Sequence, residues 1–236
     1  MQTTNFRAAL YGAIITVVTL FGGLLLGVAV GNFVFQILPG HSTFNPKPIH
    51  ILLAALPAFA GFLGGSALWG ILMGRIARAP NRKRMALAGA LGFAPITVGM
   101  GMALSALEPV AVETLGAQFP IHRLFTIFFA PTAFFIAGVS ACALGIGLGD
   151  IKLAWKLFWR VGLAGGLAFL IVNVVMEANG WVVGAPRAAE RATMLTVMFA
   201  GNLAAALVGG AVLGAQLAKQ SSATVRHVPP VMAHNS

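Results

Sequence analysis

The sequence predicts an all-α integral membrane protein with six transmembrane helices, arranged as three repeated helical hairpins around a pseudo-threefold axis. Three observations carry that expectation. Apolar residues make up 58% of the 236 and charged residues only 8%, against roughly 25% charged in a soluble domain. The apolar residues fall into six long runs separated by short polar segments. An arginine-anchored motif recurs three times at near-equal offsets. This composition excludes a water-soluble enzyme, a nucleic-acid-binding module and a disordered chain.

A bilayer core of about 30 Å takes roughly 20 apolar residues of helix. The runs at 8–37, 50–74, 85–107, 124–149, 158–180 and 192–218 meet or approach that length. The first is free of charge from Ala8 to Pro46, too long for the apolar part of a cleaved leader. It is overlong even for a span, so it tilts or projects beyond the bilayer near Asn32 and Gln36. The second, third, fourth and sixth are long charge-free runs. The fifth is weaker, uncharged from Val161 to Met176 and then meeting Glu177. Residues 1–219 thus form one transmembrane domain, and 220–236 a short polar cytoplasmic tail.

Charge sets the orientation. The formal net charge is +10, and the cations sit between apolar spans, which argues for topology rather than nucleic acid. The N-terminus, 75–84, 150–160 and the C-terminal tail together hold eleven Lys and Arg with one acid, Asp150. The opposite segments hold four cations and four acids. Basic loops stay in the cytoplasm, so both termini are expected there, in a plasma (inner) membrane. The most basic run, 75–84 (RIARAPNRKR), places Arg75, Arg78, Arg82, Lys83 and Arg84 against anionic lipid headgroups. In 150–160, Lys152, Lys156 and Arg160 share a helix face beside Trp155 and Trp159, an interfacial lead-in to the fifth span.

The odd spans begin alike: 7–14 (RAALYGAI), 84–91 (RMALAGAL) and 160–167 (RVGLAGGL) share arginine, leucine three residues on and glycine five residues on. In the even spans, 126–131 (TIFFAP) parallels 196–201 (TVMFAG), with a weaker match ending at Pro57. The repeats are 7–74, 84–149 and 160–218. Glycine, at 29 residues, is the other signal. Helices in lipid associate by close packing, for which small residues four apart are suited. Gly23/Gly27/Gly31, Gly61/Gly65, Gly70/Gly74, Gly145/Gly149 and Gly162/Gly166 have that spacing. Pro57, Pro95 and Pro131 lie inside spans, where each frees a carbonyl.

Polar groups at membrane depth are the default functional candidates. Asn173 and Glu177 share a face of the fifth span, and Asn202 and Thr97 lie near mid-depth of the sixth and third. These four are the expected substrate-binding residues of an outward-facing polar pocket, with interhelical hydrogen bonding as the competing role for the asparagines. His50 and His122 open the second and fourth spans and are the only pair placed to ligate a cofactor. Both sit at the outer surface without a carboxylate beside them, so no cofactor and no metal is expected. Ser66 and Ser140 have no base at matching depth, and no catalytic set emerges. The lone cysteine, Cys142, is a small packing residue. The functional expectation is a transporter of a small neutral or lipophilic solute, or the membrane-embedded substrate-binding component of one. The alternative is an accessory subunit of a larger respiratory or photosynthetic membrane complex, with other membrane subunits as partners. Neither reading involves an enzyme.

Overall fold

The computed structural model describes residues 2–38, 48–115, 121–179 and 187–226, and all of its regular structure is helical. Six helices follow in chain order: α1 (Gln2–Ile37), α2 (Pro48–Ile76), α3 (Arg82–Leu115), α4 (Ile121–Gly147), α5 (Ile151–Ala178) and α6 (Arg187–Arg226). Each of the six expected spans falls on one helix, although the expected fourth and fifth run two residues past the helix ends at Gly147 and Ala178. Five are long and apolar enough over their described residues to cross a membrane: Asn5–Ile37, Ala55–Ile76, Thr126–Gly147, Ile151–Ala178 and Met198–Ser222. This is a helical, membrane-embedded protein.

The helices outrun the apolar runs. α5 begins at Ile151, so the basic segment expected as a lead-in is its first turns. α3 continues to Leu115 and α6 to Arg226, into the segment expected as tail. A change from apolar to charged does not end a helix; a capping group or a left-handed residue does. The α4–α5 turn shows this. Gly149 takes φ +82°, and the amide of Asp150 donates to the Gly145 carbonyl at 3.1 Å, which ends α4 in a Schellman motif. The Asp150 carboxylate then accepts from the Leu153 amide at 2.8 Å and starts α5. The α2–α3 turn repeats the plan with Arg78 at φ 55° and Asn81 accepting from the Arg84 amide at 3.0 Å. The rest of the tail, 227–236, and the histidines at 41, 227 and 234 lie outside the described residues.

The helices form a closed ring in chain order, each packed antiparallel on the next, with α6 returning to α1. Small residues make the crossings. A methyl group at Gly23 would stand 2.6 Å from the Gly61 carbonyl oxygen, and one at Gly27 2.6 Å from that of Pro57. At the α1–α6 crossing a methyl on Gly12 would collide with the Gly210 carbonyl, and at α2–α3 one on Gly89 with the Ser66 carbonyl. Gly145 backs onto Ala154, and Gly162 and Gly166 onto Phe134. Gly149, spaced as if for a seam, serves the turn instead. Near the end of the ring that carries both termini, Met73, Met85, Leu144, Leu157 and Leu217 are fully buried in one layer. Further along the ring the outward surface is large and apolar, with Leu25, Leu87, Ile127, Leu163 and Ile171 exposed, as a lipid-facing surface requires.

Candidate functional site

Above that layer the ring holds a partly open cavity of about 560 Å³, lined by residues from all six helices. Ligand sites are commonly of this size and mostly apolar. α1, α2 and α3 contribute Phe21, Phe62, Trp69 and Phe93. The opposite side is built of small residues, among them Ala133, Ala137, Ala205 and Gly209. The aromatic wall is internally braced. Phe93 sits 5.4 Å from Phe62 and 5.9 Å from Trp69 between ring centroids, and Phe21 meets Phe199 of α6 edge-on at 5.6 Å. Among the described residues, none lining the cavity is titratable.

The polar atoms of the wall are few. Trp69 donates its ring N–H to Thr16 Oγ1 at 3.0 Å, and Thr16 donates to the Gly12 carbonyl at 2.7 Å. Thr97 donates to the Phe93 carbonyl at 2.8 Å. Ser140 donates to its own-helix Ile136 carbonyl at 2.5 Å and lies 3.2 Å from the Gly92 carbonyl, tying α4 to α3. Ser66 is likewise engaged with the Phe62 carbonyl, at 2.9 Å. Asn202 donates Nδ2 to the Met198 carbonyl at 2.8 Å.

Of the four substrate-binding candidates, the fold brings two to this cavity: Thr97 and Asn202 both line it. Asn173 and Glu177 are not among its lining residues. Asn173 is 3% exposed on α5, donates to the Phe169 carbonyl at 2.8 Å and leaves Oδ1 without a hydrogen-bond partner. It packs against Gly201, where a methyl group would come within 2.8 Å of its amide nitrogen. Glu177 lies one turn further along α5 and is half-buried. His50 is buried with Nδ1 unpartnered, while the side chain of His122 lies outside the described ones. Among the described residues no three His, Cys, Asp or Glu side chains converge as metal ligands. Arg75, Arg78, Arg82, Lys83 and Arg84 are all exposed around the α2–α3 turn, and Arg84 donates to the Ile146 carbonyl at 2.9 Å.

No family model, curated protein or solved structure matches the chain. The site therefore rests on its own geometry. What sequence reading missed is the aromatic wall. Phenylalanine and tryptophan spaced along apolar helices look the same whether they face lipid or a cavity, so no signal in the chain singles out Phe21, Phe62, Trp69 and Phe93.

Proposed function

We propose that this protein binds a small neutral, lipophilic solute inside its six-helix ring, as a transporter or as the membrane-embedded substrate-binding component of one. The single observation carrying this reading is the apolar cavity of about 560 Å³ at the centre of the ring, with an aromatic wall on one side. An interior of that volume in a bundle otherwise packed glycine against backbone supports ligand binding over simple scaffolding. The described residues of its wall carry no titratable group, which favours a neutral cargo.

The finer architecture belongs to the same proposal: six spans, three hairpin repeats, cytoplasmic termini in a plasma (inner) membrane, and the 75–84 cations on anionic headgroups. Two crossings support the repeat. Gly12 and Gly89 hold the same place in the arginine motif, and they meet Gly210 and Ser66, which also correspond. The third copy departs from it, since Gly165 lies nearest Ala137 and Ala205.

The test is native mass spectrometry after gentle extraction into nanodiscs. A stoichiometric small-molecule adduct is expected, lost when Ala206→Phe, at a residue of the cavity wall, fills the space. An adduct that survives Ala206→Phe, or no adduct even with added lipophiles, overturns the cavity reading. One observation favours the alternative of an accessory subunit: Trp155 and Trp159 are exposed on α5 in a cluster with Phe134, Phe135 and Phe158, a rigid face suited to a neighbouring protein helix. Copurification of a stoichiometric protein partner would shift the assignment there.

A further inference from the structure

The cavity's hydrogen-bonding atoms restrict its ligand further, given the binding role proposed above. A hydroxyl or indole group has one proton to donate. Those of Thr16, Trp69, Thr97 and Ser140 are all committed within the protein. What the wall still offers is acceptors and one further donor, the second Nδ2 proton of Asn202. Asn202 is the centre of them. Its Nδ2–Met198 bond fixes which way the carboxamide faces, and among the described residues nothing donates to its Oδ1. Asn202 is half-buried and lines the cavity, so this oxygen is available to an occupant. The lone pairs of the Thr97 hydroxyl are a second acceptor on the same cavity. An amide oxygen in an apolar wall is costly to leave unpaired.

We infer that the cavity selects a neutral, ring-bearing lipophile that carries a hydroxyl and donates it to Asn202 Oδ1. The ring lies between the Phe62–Phe93–Trp69 wall and the alanine and glycine surface of α4 and α6, where small side chains leave room for a flat body. The hydroxyl sets orientation and discriminates against the same molecule without a donor. The source of that selectivity is that a donor-less analogue covers the Asn202 acceptor and leaves it unpaired.

The experiment compares two probes on the full chain in nanodiscs: 4-hexylphenol and 4-hexylanisole, alike except that the second has its hydroxyl methylated. The phenol should bind about tenfold more tightly to the wild type, the effect of one net hydrogen bond. Asn202→Leu should erase the preference. Equal binding of both probes to the wild type overturns the inference and leaves the cavity reading standing; that comparison needs no variant and so does not depend on how Asn202→Leu folds. A preference that persists in a folded Asn202→Leu also overturns it. Failure of both probes to bind the wild type, or binding of both that Ala206→Phe leaves unchanged, removes the cavity reading and this inference together.

Discussion

At the scale of single residues, backbone contact rather than side-chain volume governs this fold. A Cβ at Gly12 or Gly89 has nowhere to go but into a facing carbonyl oxygen, and neither backbone can shift without opening its helix crossing. Gly12→Val and Gly89→Val should each destabilise the protein by roughly 3 kcal/mol, the upper part of the usual overpacking range, read as loss of monodisperse protein and a lower melting temperature in detergent. Gly22 and Gly64 have nothing within 4 Å of a built Cβ. Gly22→Ala and Gly64→Ala should be neutral or raise the melting temperature, since alanine is the better helix former by about 1 kcal/mol. Arg78 offers the opposite case. It holds φ 55° at a position where glycine is usual, so Arg78→Gly should stabilise the α2–α3 turn by about 1 kcal/mol. The same change removes a cation, so binding to anionic vesicles should weaken while thermal stability rises.

At the scale of elements, two caps decide where the helices turn. Asp150 caps α5 through Leu153 and also accepts from Gln220 of α6 at 3.2 Å. Asp150→Ala should cost about 1 kcal/mol for the cap, and Asp150→Asn, which keeps an acceptor, distinctly less. Hydrogen exchange at the amides of 151–154 is the readout; unchanged protection in Asp150→Ala would show that the cap contributes nothing. The spacing of charges located the helices but not their ends. In α5 the chain turns at Gly149 and Asp150, and Lys152, Lys156 and Arg160 follow on the first three turns as exposed groups. Arg160 reaches across to Gln216 of α6 at 2.9 Å. Each was visible in the sequence; that they belong to the span itself was not.

At the scale of the whole molecule, the ring closes through α1 and α6 and leaves its centre unfilled by the buried layer of Met73, Met85, Leu144, Leu157 and Leu217. Among the described residues no titratable side chain lines that centre, so binding of a neutral probe should be flat between about pH 5 and pH 8. A pH-dependent affinity would place the site elsewhere. Orientation has its own check: a reporter fused after Ser236 should report cytoplasm, and a signal from the opposite side would overturn both the span count and the inside assignment.

Helical membrane class, the location of six helices and the presence of small-residue seams were legible in the chain alone. Long apolar runs in lipid have one solution for their backbone hydrogen bonds, and glycines four apart mark a face that a neighbour approaches. Which neighbour, and which face looks inward, was decided by the tertiary structure. In a soluble helix the apolar stripe names the buried side. Here both sides are apolar, because one meets lipid and the other meets protein, so the pattern carries no information about rotation. Asn202 and Asn173 look equivalent in the sequence, each an asparagine in an apolar run. Close packing alone separates them, turning Asn173 into the α5–α6 seam against Gly201 and leaving Asn202 on the wall of the cavity.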